Sequence, residues 1–329
     1  MNIRKRGSSY TVDFKTKNKR IRKDFKSIDA AVSYVNLIEK GSAIDSSSIT
    51  LQQAADEVYE LVWKDTSNGD NAYRNALLLA NELGQGHTLK TIDQTTVDNL
   101  GMSLKNKGNS NSTINNKMSA LMVILKKYKD RGVLRDIPNF KRYKISQGRL
   151  RFFSLQEENL IIDKHNELGQ EKFGMFVQFL IDTGLRTGEA TNLTWNDVRE
   201  QNGRTVVDVW DTKNGEFRTV PLSQRCVHIL SLYKSEDSCD TSVIFNYTKS
   251  NIRTYWNRVR DALGFKDDVE FVPHVCRHTC ASRLVQKNIS IAVVKEWLGH
   301  KSIQVTLRYA KLNPAQLFDA LDVMETATV

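Results

Sequence analysis

Proline and cysteine are scarce in this chain, with four of each among 329 residues, and long apolar runs are absent. Four cysteines are too few for a disulfide-built scaffold of this length, so we expect reduced thiols. A membrane span needs about 20 predominantly apolar residues. The basic N-terminus is not followed by the apolar stretch of a signal peptide. These absences predict a cytoplasmic protein with no membrane partner.

The remaining composition is that of a globular protein with an excess of positive charge. Hydrophobic residues make up 40% of the chain and charged residues 26%. A length of 329 residues allows two or three domains, each with its own core. The formal net charge of +10 favours an anionic partner.

The positive charge is concentrated in two segments. Residues 1–28 contain ten Lys or Arg against two Asp, a net charge of +8, so that the other 301 residues carry +2. A second basic cluster, without acidic residues, lies at 141–151. Either cluster could be a solvated surface, but their density favours contacts with DNA phosphates. The predicted DNA-contacting cations are Arg4, Lys5, Arg6, Lys19, Arg20, Arg22, Lys23, Lys141, Arg142, Lys144, Arg149 and Arg151.

Hydrophobic periodicity predicts a mainly α-helical chain with small β-sheets, an α+β fold class. Thr50 and Gln53 have the spacing of a capping box, which predicts a helix over 51–63. The serines within 42–48 indicate a linker. Strands are predicted at 9–14, 20–25, 205–210 and 217–221, the last two around an Asn-Gly turn, and further helices at 29–39, 70–84, 93–106, 112–131, 173–181, 222–235, 250–263, 275–287, 290–298 and 302–309.

The last 60 residues carry side chains suited to phosphodiester chemistry. His274 and Arg277 stand three residues apart, His300 follows Leu-Gly, and Tyr309 follows nine residues later. A guanidinium can hold two phosphate oxygens through paired N–H groups, and an imidazole can move a proton. A phenol can attack phosphorus and form a covalent ester. This combination of side chains therefore predicts a site for DNA strand cleavage.

Two upstream segments complete this set. Arg186 and Glu189 lie in Thr-Gly-Leu-Arg-Thr-Gly-Glu, and Lys213 lies at the tip of the predicted hairpin. Together with the downstream residues they resemble the tyrosine recombinases, also called phage integrases. The resemblance covers residues 150–329 closely. It extends loosely over the first 150, whose layout is similar to that of the lambda-type integrases of temperate phages.

The resemblance implies roles for these residues and needs no metal or cofactor. Tyr309 would form a 3′-phosphotyrosyl bond, while Arg186 and Arg277 would clamp the scissile phosphate. His274 would assist proton movement at Tyr309. The supporting roles are the general acid Lys213, the phosphate ligand His300 and the arginine-orienting Glu189.

The resemblance also implies a domain order and partners. Residues 1–48 would form a basic arm-site-binding domain with its linker, and 49–140 a helical core-binding domain. A basic linker, 141–151, would lead to a catalytic domain with a C-terminal tail, 152–329. The implied function is site-specific DNA recombination by a homotetramer on double-stranded DNA, at attachment sites with core and arm sequences. A DNA-bending host factor and an excision factor would assist it.

Three alternative interpretations remain. A type IB topoisomerase shares the chemistry but relaxes supercoils as a monomer, and a regulator could keep the fold without catalysis. The order His274-x-Cys276-x-His278-x-Cys280 suggests zinc, but these positions spread around a helix and do not converge on one ion. Cys276 and Cys280 fit better as small core residues, and His278 as a structural one.

Overall fold

The structure, a computed structural model, describes residues 2–6, 9–15, 20–25, 28, 31–32, 35, 49–84, 87–145, 150–211, 216–312, 321 and 324. The chain divides into two compact units, Met1–Gln147 and Gly148–Val329. The boundary lies within the basic segment 141–151. No helix in the described part of the chain is long and apolar enough to cross a membrane.

The described residues of the first unit contain a three-stranded sheet and, from residue 49 onward, four α-helices. The antiparallel strands are β1 (Asn2–Arg6), β2 (Ser9–Lys15) and β3 (Arg20–Phe25), in that order. The helices are α1 (Leu51–Val58), which continues as a π-helical turn over Tyr59–Trp63, α2 (Gly69–Leu83), α3 (Gln94–Asn106) and α4 (Asn111–Asp130).

The second unit contains the remaining helices and a second antiparallel sheet. The described helices are α5 (Leu155–Glu167), α6 (Glu171–Thr183), α7 (Thr187–Asn192), α8 (Gln224–Tyr233), α9 (Lys249–Ala262), α10 (Val275–Gln286), α11 (Ile291–Leu298) and α12 (Ile303–Thr306). A 3₁₀ segment, Leu307–Leu312, follows α12. The strands are β4 (Val198–Gln201), β5 (Arg204–Asp211) and β6 (Glu216–Pro221), in that order.

The predicted fold class is confirmed: the chain is mainly helical with small antiparallel sheets. The capping box is also present, since Gln53 N donates to Thr50 Oγ1 and Thr50 N donates to Gln53 Oε1. Two strands and two helices are absent from the predicted elements, namely β1, β4, α5 and α7. The predicted linker 42–48 and most of the predicted helix 29–39 lie outside the described residues.

The segment that leads out of the first unit is bound to α4. The buried Asn115 side chain donates to Tyr143 O at 2.9 Å and accepts from Tyr143 N at 2.8 Å. Asn111 Nδ2 donates to Lys144 O at 2.8 Å. Since these bonds fix the backbone, the first part of the basic segment is held against the helical unit, and its cations Lys141, Arg142 and Lys144 stay exposed.

The core of the second unit is built around α6, which is apolar on nearly every side. Phe173, Phe176 and Phe179 pack there among aromatic rings that include Phe245. The helix ends at Gly184, whose φ of +66° is the left-handed conformation that glycine adopts without strain. A Cβ at Gly184 would lie 2.8 Å from Leu298 Cδ2, so the close approach of α11 also requires glycine.

A buried ionic network joins four helices of this unit. Glu158 of α5 accepts a hydrogen bond from Arg225 Nη1 at 2.7 Å, and its other oxygen lies 2.6 Å from Arg283 Nη1 on α10. Arg225 also binds Asp182 on α6. Because a buried carboxylate is stable only when its charge is matched, these pairs fix α10 relative to α5, α6 and α8.

A buried histidine makes the stability of this unit dependent on pH. His165 is fully buried, with Nδ1 3.1 Å from Gln170 Oε1, and Nε2 has no hydrogen-bond partner among the described residues. Burial lowers its pKa to about 4, against the opposing effect of the Gln170 hydrogen bond. The unfolded chain binds this proton near pH 6.5. The free energy of unfolding should therefore fall by about 3 kcal/mol between pH 6.5 and pH 4 through this residue.

The variant His165→Asn should lose this part of the pH dependence, because asparagine can still meet Gln170 but does not titrate. Urea unfolding at pH 7 and pH 5 measures the effect. His228→Asn on α8 is the matched control, since His228 is exposed. If the free energy of unfolding changed by the same amount between pH 7 and pH 5 in wild type and in His165→Asn, the prediction would be contradicted.

Candidate active site

Arg277 lies on the first turn of α10 and is 1% exposed. Its Nη1 donates to Gly184 O at 2.8 Å and its Nη2 to Leu298 O at 2.5 Å. The guanidinium thereby joins the carboxyl ends of α6 and α11. Burial, followed by the charge of Arg186, lowers its pKa to about 10, so it remains protonated at neutral pH.

Arg186 directly precedes α7 and points outward, with its side chain 48% exposed. Glu189, one turn later, accepts hydrogen bonds from Arg186 N at 2.9 Å and from Arg186 Nη1 at 2.5 Å. Arg277 Nη1 lies 3.9 Å from the same carboxylate. Burial raises the pKa of Glu189, but the hydrogen bond and charge of Arg218 outweigh it and hold the pKa at about 2. Glu189 is therefore an anion between three guanidinium groups.

His274 directly precedes α10, and His278 lies one turn later on the same helical face. Their ring centroids are 4.8 Å apart and the rings are nearly perpendicular. His278 Nδ1 lies 2.6 Å from the Tyr309 hydroxyl oxygen. Burial and then the neighbouring His274 lower the pKa of His278 to about 3. Burial and then Arg277 lower the pKa of His274, so both imidazoles are neutral at pH 7.

Tyr309 lies in the 3₁₀ segment after α12 and is 1% exposed. Its ring packs in a small apolar cluster with Ala281, Val285 and Leu298. Burial raises the pKa of the phenol, and the charges of Arg308 and Arg277 oppose this shift. The hydroxyl is therefore protonated at neutral pH, and it can donate to Nδ1 of a neutral His278.

His300 follows Gly299, which ends α11 in the left-handed conformation. Its Nδ1 lies 2.9 Å from Thr306 Oγ1. Burial and then Arg277 lower its pKa to about 4. Trp297, one turn earlier, donates from Nε1 to Thr183 O at 2.9 Å and so packs α11 against the end of α6.

The structure thus brings Arg186, His274, Arg277, His300 and Tyr309 into one region around the start of α10. Lys213 lies outside the described residues, although β5 and β6 on either side of it are described. Cys276 and Cys280 are buried, and Cys280 Sγ lies 3.4 Å from Asp182 O. Within the described chain, no group of three or more His, Cys, Asp or Glu could hold a metal ion.

Two residues of this region were not predicted as part of it. His278 was interpreted as structural, but its imidazole contacts the Tyr309 hydroxyl. Its i,i+4 spacing from His274 was the available signal, because that spacing puts both rings on one helical face. Arg218 binds Glu189 from β6, and no local pattern of the sequence indicates this contact.

The cations predicted to contact DNA fall into two groups, those in ion pairs with carboxylates and those that are exposed. Arg151 is half-buried between two carboxylates, with Nη2 2.6 Å from Glu157 Oε1 and Nε 3.1 Å from Asp268 Oδ2. These ion pairs give Arg151 a structural role in the second unit. Arg22 is exposed but lies 3.3 Å from Asp13. The exposed cations for which no ion pair is described are Arg4, Lys5, Lys141, Arg142 and Lys144.

The other predicted cations are described only in part or not at all. Arg6, Arg20 and Lys23 lie on β1 and β3 of the N-terminal sheet. Lys19 and Arg149 lie outside the described residues. The prediction of DNA contacts at these positions therefore rests on charge alone.

Comparison with known proteins places this region within one family. Residues 152–316 match the model of the phage integrase family. A tyrosine recombinase, XerA, of Pyrococcus furiosus is 29% identical over 154 residues, which are 45% of this chain and 53% of XerA. The integrase of Salmonella phage P22 is 27% identical over 183 residues, covering 51% of this chain and 46% of the integrase.

A solved structure shares the fold over a longer part of the chain. The Tn1549 transposon integrase, residues 82–397 in complex with circular intermediate DNA, superposes with a TM-score of 0.66 at 18% identity. The match covers 80% of this chain and 95% of that one. By contrast, the sequence matches to XerA and the P22 integrase span only about half the length of those relatives.

Proposed function

The chain belongs to the phage integrase family, the tyrosine recombinases, and from this membership we propose that it is a site-specific DNA recombinase. It would cut and rejoin strands through a covalent 3′-phosphotyrosyl intermediate on Tyr309. The observation that carries the proposal is the grouping of two guanidinium groups, three imidazoles and one phenol around the start of α10.

In this proposal Arg186 and Arg277 bind the scissile phosphate. Arg186 is half-exposed and oriented by Glu189, so it can meet the DNA backbone directly. Arg277 is held by two carbonyl groups, and DNA would have to approach over the first turn of α10 to reach it. Paired N–H donors of a guanidinium match the oxygens of a phosphate. Losing one preorganised contact of this kind typically costs about 10²–10³ in rate.

The strand is cut when the Tyr309 oxygen attacks phosphorus. The phenol gives up its proton to a neighbouring imidazole, a role that His278 can take through its 2.6 Å contact and His274 can support. The new bond joins the Tyr309 oxygen to phosphorus, and the bond from phosphorus to the 5′ oxygen breaks. Lys213 is the proposed donor of the proton to that oxygen, and His300 binds the phosphate. The ester retains the bond energy, so rejoining needs neither ATP nor a metal.

The free chain holds Tyr309 in a resting state. A neutral, buried phenol is a poor nucleophile, and its exposed fraction of 1% keeps a phosphate away from the hydroxyl. The 3₁₀ segment must therefore shift when DNA binds. The exposed apolar side chains of Ile303 and Val305 on α12 and of Leu307 at the start of this segment offer a contact surface for a second protomer. This fits a homotetramer that assembles on DNA.

The proposed partner is double-stranded DNA with core and arm sequences. The exposed cations of 141–144 and of the N-terminal sheet supply positive charge in the first unit. The Tn1549 integrase, which shares the fold, has been solved in complex with DNA. A DNA-bending host factor and an excision factor belong to the same proposal, as does the division into arm-site-binding, core-binding, linker and catalytic segments.

A nicked attachment-site duplex tests the proposal. Cleavage close to the nick releases a short 5′-hydroxyl strand, so the covalent intermediate cannot be resealed and accumulates. The wild-type protein should give a detergent-resistant protein–DNA adduct whose linkage is to a 3′ phosphate. The control is a supercoiled plasmid without attachment sites, which should stay supercoiled. Rapid relaxation of that plasmid, or no adduct on any candidate duplex, would contradict the proposed function.

A further inference from the structure

We propose that Arg218 is a positioning residue of the active site, which holds Glu189 and the turn before His300 so that Arg186 is presented to the scissile phosphate. The inference rests on the proposed DNA cleavage and assigns a part in it to a residue outside the resemblance. Arg218 lies on β6, two residues after the start of the strand.

The hydrogen bonds of Arg218 join three elements. Nη2 donates to Glu189 Oε2 at 2.8 Å and Nη1 to Glu189 Oε1 at 3.3 Å, which is a two-pronged contact with α7. Nε donates to Trp297 O at 3.0 Å, near the end of α11. A planar guanidinium fixes both the position and the orientation of a carboxylate in such a contact. Arg218 therefore locks α7 and α11 to the sheet.

Glu189 has no acceptor capacity left over in this arrangement. A carboxylate offers about four lone-pair sites. Arg186 fills two of them, through its backbone N–H and Nη1, and Arg218 fills the other two. Since Arg218 holds the carboxylate from its less exposed side, Arg186 meets a fixed support while 48% of its own side chain stays exposed.

Gly299 provides the space for this guanidinium. A Cβ at position 299 would lie 2.8 Å from Arg218 Cδ and 2.9 Å from Arg218 Nη1. The φ of Gly299 is +65°, which a larger residue would adopt only with strain. The Leu298-Gly299-His300 turn is thus fitted against Arg218. The carbonyl of Leu298 in that turn also binds Arg277, so the same turn reaches both ends of the site.

Arg218 does not have the surroundings of a phosphate ligand. Its charge is paired with the Glu189 carboxylate at 2.8 Å, and all three of its nitrogen atoms donate to Trp297 O or to Glu189. The neighbouring Phe217 is exposed on the opposite face of the strand, as strand alternation requires. Both ends of the Arg218 guanidinium are already bound to Glu189. It therefore acts on the phosphate only through Glu189, Arg186 and the turn.

The test measures the rate of adduct formation on the nicked duplex with Arg218→Gln and Arg218→Lys. Arg218→Gln should slow it by about 10²-fold, because Glu189 and Arg186 lose their fixed geometry. Arg218→Lys keeps the charge but not the two-pronged contact, so its loss should be smaller. Both variants should bind the duplex as wild type does. Arg199→Gln on β4, which removes an exposed ion pair with Asp208 from the same sheet, should cleave normally.

The pH profile separates positioning through Glu189 from a general structural effect. The groups that face Glu189 are Arg186, Arg218, Arg277 and His274. With Arg218 present the pKa of Glu189 stays at about 2. Without Arg218 the pKa of Glu189 rises. As the pH is lowered, the rate of adduct formation in Arg218→Gln should therefore begin to fall at a higher pH than in wild type. Arg218→Lys should keep the wild-type acid limb because its charge remains.

The Glu189→Gln variant isolates the part of the Arg218 effect that passes through Glu189. His274 and His300 also titrate at low pH, and Arg218 lowers the pKa of His300, so part of any shift arises without Glu189. In the Glu189→Gln protein, adding Arg218→Gln should cause little further loss of rate. The pH profile should shift only by the part that arises through His300. A wild-type rate and pH profile for Arg218→Gln would overturn the inference. So would equal losses in both backgrounds, which would mean that Arg218 acts independently of Glu189.

The positioning role can be tested even if the Arg218→Gln variant does not fold. If Arg218→Gln alone unfolds, the double variant Glu189→Gln/Arg218→Gln leaves no unpaired buried carboxylate and is compared with Glu189→Gln. Equal adduct rates support the inference, and a further large loss in the double variant contradicts it. The wild-type adduct is the reference throughout. Its absence would refute the proposed function, whereas a normal Arg218→Gln adduct refutes only the positioning role.

Discussion

Tyr309→Phe should abolish the covalent protein–DNA adduct while leaving DNA binding intact. The substitution removes only the attacking oxygen, so no ester can form at any rate. It also removes one hydrogen bond, from the hydroxyl to His278, and should change the free energy of unfolding by only about 1 kcal/mol. Gel electrophoresis under denaturing conditions measures the adduct, and a mobility shift on the same duplex measures binding.

Tyr247→Phe is the matched control for this loss. Tyr247 is a partly buried phenol in the second unit, and its hydroxyl lies 3.0 Å from that of Tyr233. Removing the Tyr247 hydroxyl takes away a similar hydrogen bond at a position distant in sequence from Tyr309. The Tyr247→Phe protein should form the adduct at the wild-type rate. An adduct that persists in Tyr309→Phe and disappears in Tyr247→Phe would assign the nucleophile to a different phenol.

Arg277→Lys should reduce the rate of adduct formation by about 10²–10³-fold, even though it retains a positive charge. A lysine presents a point charge and cannot bind Gly184 O, Leu298 O and a phosphate with a fixed fork. Arg277→Gln removes the charge as well and should lose more. Either change leaves carbonyl groups without their donor, which costs about 1–3 kcal/mol of stability for each. Single-turnover kinetics and thermal unfolding measure the two effects.

Thr279→Val separates chemistry from stability on the same helix. The buried Thr279 hydroxyl accepts from Phe153 N at 2.9 Å and donates to Val275 O at 2.8 Å, away from the site. Valine has nearly the same shape but leaves Phe153 N unpaired, so the protein should be destabilised to a similar extent. Its adduct rate below the unfolding temperature should remain normal. Comparable rate losses in Thr279→Val and Arg277→Lys would mean that Arg277 acts through stability alone.

Much of the helical framework could be predicted because its signals are local. The capping box of Thr50 and Gln53, the apolar period of 112–131 and the glycine after α6 each act within a few residues. The strand β1 could not be recognised, since three consecutive cations, Arg4, Lys5 and Arg6, interrupt its alternation. That strand forms only because β2 offers a partner edge.

The residues of the candidate site could be predicted better than the contacts between them. The resemblance named Arg186, Arg277 and Tyr309, and the structure places them in one region. The contact at the Tyr309 hydroxyl is made by His278, although the resemblance implied His274 for that place. Both histidines share one helical face, and the position of the 3₁₀ segment along that face places the hydroxyl beside His278.

The sequence by itself determined the helical period, the caps, the basic N-terminus and the identity of the side chains that suit phosphate chemistry, because each depends on neighbours along the chain. Only the tertiary structure decided how these side chains are supported. Arg218 meets residues 29 and 79 positions away, and Arg277 meets a carbonyl 93 positions away. Such contacts follow from how α6, α10, α11 and β6 pack. Packing depends on the shapes of all the buried side chains together.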